Sequence, residues 1–191
     1  MQIRNVFSLL IFATAAVFPI CGHTQIQMFE PERVGRWYLS GAGGSFKQDT
    51  DADIGNYHGQ YGLAIGAGYR LRPHLGLEID GLFASQRFEI DSAVISTDAH
   101  ASLTGIGGLV KLILPLDRVE LYVGGGVGIY STTFWSDVGF QGVAGLDLFL
   151  SRHLSVGVEY RRLKLDAFVG ALVPGFDLGG DLVFATVRGH F

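Results

Sequence analysis

Apolar side chains recur at every second position along most of this chain. Between Tyr61 and Arg70, Tyr, Leu, Ile and Ala alternate with Gly, Ala and Arg, and the segment 154–161 alternates in the same way. Successive side chains of a β-strand point to opposite faces, so a two-residue period predicts strands rather than helices. Interior glycines disfavour long helices further, because each costs a helix about 1 kcal/mol. The pattern therefore predicts an all-β protein.

Eight segments have this strand pattern. They cover residues 36–46, 60–71, 75–86, 101–114, 119–130, 138–150, 154–164 and 180–191. Most are about 11 residues long, near the length that a tilted strand needs to cross a bilayer.

The connections between these segments are of two kinds, which alternate along the chain. Short ones are expected at 72–74, 115–118 and 151–153, and longer polar loops at 47–59, 87–100, 131–137 and 165–179. Short turns on one rim and long loops on the other are typical of an outer-membrane barrel. An even number of strands puts both termini on the short-turn side.

The two faces of the strands distinguish a membrane barrel from a soluble β-protein. One face is aliphatic or aromatic, and the other carries Gly, Ala, Ser and charged residues. A soluble sandwich would bury the large apolar groups and solvate the polar face, but here the polar face is too rich in glycine for that. The interior of an eight-stranded barrel is just wide enough for side chains. We predict an eight-stranded antiparallel up-and-down transmembrane β-barrel, with a soluble β-protein as the alternative.

Several charged residues share the parity of the polar, inward face. They are Arg70, Glu78, Asp80, Glu120, Asp147, Glu159, Arg161 and Arg188. An unpaired charge in a confined interior is costly, so we expect a network of ion pairs in the lumen. Its expected role is structural packing, and a transport path or proton relay is the alternative.

Composition narrows the class of protein. Of 191 residues, 28 are Gly and 17% are charged, against about 25% charged in an ordinary soluble domain. The hydrophobic share of 48% excludes a disordered chain. A net charge of −4 without a basic run argues against a nucleic-acid partner. The single Cys excludes an internal disulfide and a Cys-based zinc site.

The first 22 residues have the features of a secretory signal peptide. Arg4 supplies a positive charge, and residues 6–20 form an apolar core too short to span a bilayer. Cleavage after Gly22 would leave a periplasmic segment, 23–35, before the barrel at 36–191. Lipidation of Cys21 and an uncleaved anchor are the alternatives.

Three motifs resemble the OmpA-type outer-membrane β-barrel domain. Segment 35–43, with its Trp-Tyr pair, is similar to the opening strand of that family, and the hairpin within 66–78 is similar to its second and third strands. The last strand resembles the C-terminal signal that the barrel-assembly machinery reads. In this chain that signal comprises Phe191, Val187 and Val183.

The resemblance covers 36–191 and implies a small, monomeric, OmpA/OmpX-like barrel in the outer membrane of a Gram-negative cell. The implied partners are outer-membrane lipid, lipopolysaccharide and, during biogenesis, the assembly machinery. No periplasmic peptidoglycan-binding domain follows residue 191, so cell-wall anchoring is not expected. No cofactor is expected either.

Candidate catalytic and metal-binding motifs are weak. His100 and Ser102 share one strand face, and a His beside a Ser can activate it as a nucleophile. Lipid A deacylases are similar, but that family has an aromatic residue between the two and an Asn after the Ser, where this chain has Ala101 and Leu103. The acidic stretch 49–53 lacks the Gly and Glu of a calcium loop, so no metal site is expected.

Aromatic residues near the strand ends are expected to form interfacial girdles. They are Trp37, Tyr38, Tyr69, Tyr122, Tyr130, Phe134, Trp135, Tyr160 and Phe191.

The expected function is a structural or surface-interaction role carried by the long loops. The lumen is expected to be filled rather than to form a general pore, because porins use about 16–18 strands. The alternatives are a lipid A-modifying enzyme that uses His100 and Ser102, and a narrow channel.

Overall fold

The computed structural model describes residues 34–48, 57–92, 95–132, 136–165 and 179–191. Within these ranges, eight antiparallel strands form one closed barrel, in which each strand pairs with its neighbours in sequence and the last pairs with the first. The strands are β1 (Trp37–Gln48), β2 (Tyr57–Arg72), β3 (Leu75–Ser92), β4 (Ile95–Leu116), β5 (Val119–Thr132), β6 (Ser136–Phe149), β7 (Leu154–Leu165) and β8 (Gly180–His190). The predicted eight-stranded antiparallel barrel is confirmed.

The predicted signal peptide and most of the segment 23–35 lie outside the described residues. The described residues contain no helix long and apolar enough to cross a membrane.

Pairing of β1 with β8 closes the barrel. The ladder runs from Tyr38 opposite His190 to Gln48 opposite Gly180, and the Phe191 amide donates to the Trp37 carbonyl at 2.9 Å. Closure is important in lipid, because an open strand edge would leave backbone donors and acceptors without partners.

Three short turns join the strands on one rim, as predicted. Residues 73–74 join β2 to β3, 117–118 join β4 to β5, and 150–153 join β6 to β7. Asp117 has a φ of 55°, in the left-handed region that Asp tolerates better than most residues. The opposite rim is called the loop side below.

The predictions of two of the four long loops, 87–100 and 131–137, are wrong. β3 continues to Ser92 and β4 begins at Ile95, so most of 87–100 is strand, and most of 131–137 likewise belongs to β5 and β6. Polar side chains at these positions suggested loops, but the backbone ladder continues to the pair Ser92–Ile95. β3 and β4 have 18 and 22 residues, against the roughly 9–11 that cross a bilayer, so this hairpin extends beyond the loop-side rim.

Burial alternates along the strands and separates the lumen from an apolar outer face. The exposed hydrophobic residues form a belt on the predicted outward parity. Among them are Leu39, Leu63, Ile65, Ile79, Ile106, Leu112, Val123, Val127, Ile129, Val138, Phe140, Val158 and Val187. An apolar surface that surrounds the barrel is what lipid contact requires.

The predicted aromatic girdle is wrong for three residues. Tyr38, Tyr122 and Tyr130 are only 7%, 5% and 2% exposed, because they lie on the inward parity. Tyr38 directly follows the 61% exposed Trp37, so the two side chains point to opposite faces. Trp37, Tyr69, Tyr160 and Phe191 lie on the outer face, and Phe134 and Trp135 lie outside the described residues.

Candidate functional site

Charged and polar side chains from seven of the eight strands meet inside the barrel. We call this set the lumen network. It comprises Tyr38, Glu78, Asp80, Lys111, Tyr122, Gln141, Asp147, Glu159, Arg161, Thr186 and Arg188, all of which are buried.

Glu159 of β7 is the centre of the lumen network and is only 1% exposed. One carboxylate oxygen accepts from Lys111 Nζ at 3.3 Å, from the Tyr122 hydroxyl at 2.9 Å and from Arg188 Nη2 at 2.9 Å. The other accepts from Arg161 Nη2 at 2.8 Å. This one carboxylate therefore ties together β4, β5, β7 and β8.

Two carboxylates of β3 extend the network to the opposite wall. Glu78 accepts from the Tyr38 hydroxyl at 2.7 Å and from Lys111 Nζ at 2.8 Å. Asp80 accepts from Arg161 Nη1 and from Gln141 Nε2, the latter at 3.1 Å. The Glu78–Lys111 bond joins the neighbouring strands β3 and β4, and the other three run across the lumen between strands that are not neighbours in the sheet.

Two further ion pairs lie nearer the short-turn rim. Arg188 Nη1 bonds to Asp147, which also accepts from the Thr186 hydroxyl at 3.4 Å. Arg70 Nη1 lies 2.7 Å from both carboxylate oxygens of Glu120 and joins β2 to β5.

The buried charges nearly balance. Within the described part of the lumen, the buried cations are Arg70, Lys111, Arg161 and Arg188, and the buried carboxylates are Glu78, Asp80, Glu120, Asp147 and Glu159. Each cation contacts at least one carboxylate at ion-pair distance. Removing an ion from water costs several kcal/mol, which its partners must offset, so losing one partner of such a pair is strongly destabilising.

An apolar cluster lies on the loop side of the lumen network. Along β7, Glu159 and Arg161 precede Leu163 and Leu165, which belong to the cluster, and the Arg161 guanidinium lies 5.9 Å from the Phe184 ring centre. Its members are Phe46, Leu82, Ala84, Leu103, Tyr130, Leu163, Leu165, Leu182 and Phe184.

A small cavity lies between side chains of the lumen network. The structure describes a cavity of about 10 Å³ there, bordered by Ser40, Asp80, Glu159 and Thr186 among others. Such a volume holds roughly one water molecule.

Each of the three lumen tyrosines packs over a glycine on a neighbouring strand. Tyr38 is paired with Gly68, Tyr122 with Gly145 and Tyr130 with Gly105. A Cβ atom at these glycines would come within 2.0, 2.3 and 2.2 Å of the respective tyrosine rings. Glycines on the inward parity therefore make room for the aromatic side chains of the lumen.

All eight charged residues that the sequence placed inward lie in the lumen, and each bonds to a side chain on a strand that is not its neighbour in the sheet. Sequence reasoning did not include Lys111, Gln141, Tyr38 and Thr186 among the polar partners. Lys111 is the only charged residue in the segment 109–116, in which apolar residues occupy both faces and hide the alternation. Its neighbours Val110 and Leu112 point outward, so Lys111 points inward. That parity is the signal that could have identified it.

The candidate catalytic pair stays a prediction. Ser102 is half-buried on the parity of the exposed Thr104 and Ile106, which form the outer face of β4. The backbone of His100 is paired with that of Arg87, and the side chain of His100 lies outside the described part. Among the described side chains, no group of three His, Cys, Asp or Glu is arranged to hold a metal ion.

The residues of the expected assembly signal lie on the outer face of β8 and at its end. Val183, Val187 and Phe191 are 45%, 52% and 68% exposed. Their role in assembly stays a prediction.

Comparisons with known proteins agree with this architecture. The family model described as "Outer membrane protein beta-barrel domain" matches residues 9–187. A comparison with curated protein sequences finds no match.

Solved structures of outer-membrane proteins are similar in fold. OprG from Pseudomonas aeruginosa has a TM-score of 0.63 at 13% identity, over 83% of this chain and 97% of that one. Neisserial surface protein A has a TM-score of 0.62 at 14% identity, over 82% and 99%. At such identities, the similarity shows the fold.

Proposed function

We propose, on the premise that this chain belongs to the outer membrane protein beta-barrel domain family, that it is an outer-membrane barrel with a closed lumen. Its role is then structural, or depends on contacts made by its loop side. The proposal rests on two layers of side chains that follow one another inside the barrel, the lumen network and the apolar cluster. A permeating solute would have to cross both.

The lumen network supports closure because its bonds join opposite walls. Glu159 is held by three cations and a tyrosine hydroxyl, so an ion that moved past it would have to separate several buried pairs. Each buried pair is costly to break, at about 3–5 kcal/mol.

The apolar cluster supports closure independently. Phe184 and Leu182 are fully buried, and Phe46 and Leu163 are 2% and 1% exposed. An ion or a sugar in this layer would lose its water without gaining polar partners, which is unfavourable. Eight strands also leave an interior only about wide enough for side chains.

A closed lumen leaves the loop side as the surface for contact with other molecules. The β3–β4 hairpin extends beyond this rim, and connections on barrel rims are where variable binding surfaces lie. We place the short turns in the periplasm and the loop side outside the cell, with a monomeric barrel at 36–191 after signal cleavage near residue 22.

Uptake into vesicles tests the closed lumen. Proteoliposomes with the purified protein should swell no faster than empty liposomes in a small sugar such as arabinose, while those with a 16-stranded porin swell rapidly. Swelling at a porin-like rate would contradict the proposal.

The competing enzymatic function has its own test. Lipid A from cells that express the wild type and from cells that express Ser102→Ala should have the same mass as lipid A from cells without the protein. A mass shift that depends on Ser102 would replace the structural role with lipid A modification.

A further inference from the structure

We propose that the loop-side end of β4, residues 95–102, binds an extended polypeptide segment of another protein, which adds to the sheet as a further strand. We call these eight residues the β4 edge. The inference rests on the proposed role of the loop side in contacts with other molecules, and it names the class of partner.

The two neighbours of β4 end at different heights. β3 pairs with β4 as far as the pair Ser92–Ile95, whereas β5 pairs with β4 only as far as the pair Thr132–Leu103. In the part of the chain that the structure describes, no strand pairs with the second side of residues 95–102. At about 3.3 Å per residue, the β4 edge is about 26 Å long.

The connection next to the β4 edge is too short to cover it. β5 ends at Thr132 and β6 begins at Ser136, and Ser131 is still paired with Ser136. Only residues 133–135 lie between the two strands, and one residue spans at most about 3.6 Å. Because both ends of this connection are fixed at the rim, it cannot run along all eight residues of the β4 edge.

The backbone of the β4 edge is suited to strand addition. In antiparallel pairing, alternate residues bond to one neighbour, so about half of the N–H and C=O groups of 95–102 point away from β3. Such a row of donors and acceptors is a template for another strand. The ladder with β3 keeps one register as far as Ser92–Ile95, without a bulge that would twist the edge away. The segment also contains no Pro or Lys, which commonly block pairing at sheet edges.

Parity along β4 indicates the side chains that a partner strand needs. Leu103 belongs to the apolar cluster in the lumen, so odd-numbered positions continue that face and even-numbered positions continue the outer face. The odd-numbered residues of the β4 edge are Ile95, Thr97, Ala99 and Ala101, and the even-numbered ones are Ser96, Asp98, His100 and Ser102. A segment with apolar residues at alternate positions and polar residues between them matches these two faces.

A second copy of this chain in the same membrane fits the β4 edge less well. Two upright barrels have β4 strands that both run from the loop side towards the short turns, so their edges would pair in parallel. Parallel pairs are slightly less stable per residue than antiparallel pairs. A segment of another protein can approach in the antiparallel direction, because the 22-residue β4 extends beyond the bilayer.

Residue-resolved amide hydrogen exchange of the mature barrel in nanodiscs tests the β4 edge. In the protein alone, slow and fast amides should alternate along 95–102, because only alternate amides bond to β3. Uniformly slow exchange would show that another segment of the chain, or a second copy, already covers the edge. Uniformly fast exchange would show that the hairpin is open there. Either result would overturn the proposal.

The probe is a peptide with the sequence of residues 85–92, because this strand already pairs with 95–102 from the other side. Its binding should slow the fast amides of the β4 edge, and failure to bind would overturn the proposal. Two control peptides have N-methyl groups at positions 86, 88 and 90, or at 87, 89 and 91. One set removes the donors that face β4 and should weaken binding about tenfold or more, whereas the other should bind like the unmodified peptide. Equal binding of the two would contradict strand addition.

A matched pair of variants tests the same point on the protein. Ala99→Pro and His100→Pro each remove one amide, of which one bonds to β3 and the other lies on the unpaired side. The variant that lacks the unpaired-side amide should keep its heat-modifiable migration and its exchange pattern towards β3, yet bind the peptide about tenfold less. Peptide binding equal to that of the wild type would overturn the proposal. If neither variant folds, the two methylated peptides decide the matter with the wild type.

Sugar-driven swelling on the same preparations separates this inference from the proposed function. Swelling with intact peptide binding contradicts the closed lumen alone. Absence of peptide binding without swelling contradicts strand addition alone.

Discussion

The ring of Tyr122 lies over Gly145, its direct partner in the ladder between β5 and β6. A Cβ at position 145 would come within 2.3 Å of the Tyr122 ring and 2.8 Å of the Val158 carbonyl oxygen. The Tyr122 hydroxyl in turn donates to Glu159 and accepts from Arg188. The absence of a side chain at Gly145 thus positions a tyrosine that holds the centre of the lumen network.

We expect Gly145→Ala to destabilise the barrel by about 1–3 kcal/mol, because the added methyl group overpacks against the Tyr122 ring. The control is Gly142→Ala on the same strand, where a Cβ meets nothing within 4 Å and the change should stay within about 0.5 kcal/mol. Urea titration in lipid vesicles measures both. Equal effects would mean that the close contact between residues 122 and 145 does not constrain the fold.

Glu159→Gln should cost about 3–5 kcal/mol, because it leaves Lys111, Arg161 and Arg188 without their shared anion in a buried site. Asp181→Asn is the matched control, since it removes the carboxylate of an exposed pair with Arg162, and it should cost at most about 1 kcal/mol. The same unfolding titration compares them. A smaller loss for Glu159→Gln than for Asp181→Asn would show that the lumen network is not a stabilising element.

Val158→Arg tests the lipid face. Val158 is 54% exposed in the middle of the outer face of β7, whereas Leu154 lies on the same face at the short-turn end. Arg at mid-membrane costs about 2–4 kcal/mol and close to 0–1 near the interface, so Val158→Arg should lower the unfolding free energy far more than Leu154→Arg. The reverse order would place β7 at a different depth or in a different register.

Deleting Phe191 should reduce the amount of folded barrel in the outer membrane more than changes in the 166–178 connection. Phe191 both resembles the end of an assembly signal and donates its amide to Trp37, which closes the ladder between the first and last strands. Phe191→Tyr keeps the aromatic ring and should assemble nearly as well as the wild type. The heat-modifiable gel band of the membrane fraction gives the readout. Unchanged assembly after the deletion would show that Phe191 is not part of an assembly signal.

The strands and their faces could be predicted because alternation records which side of a strand meets lipid. That rule placed Val158 outward and Glu159 inward, and it was weakest where alternation is hidden, as around Lys111. The same rule predicted a loop at 87–100, most of which is strand. Polar residues beyond the bilayer pair their backbones, but no apolar face identifies them as strand residues.

The pairing inside the lumen could not be predicted in the same way. Parity states that Asp80 and Arg161 point inward, but not that β3 and β7 meet across the lumen at those residues. That depends on the register of every ladder between them, which is set by the whole closed sheet. Aromatic residues near strand ends suit both a membrane interface and a lumen, so position along the strand does not separate the two, and only parity places Tyr38 and Tyr130 in the lumen.

The most direct test of the closed lumen is the electrical conductance of single proteins in a planar bilayer. The account predicts no steady current above the bare bilayer for the wild type, because the lumen network and the apolar cluster lie in series. Stable, reproducible channels in the wild type that change in size when Phe184 or Arg161 is replaced would contradict it.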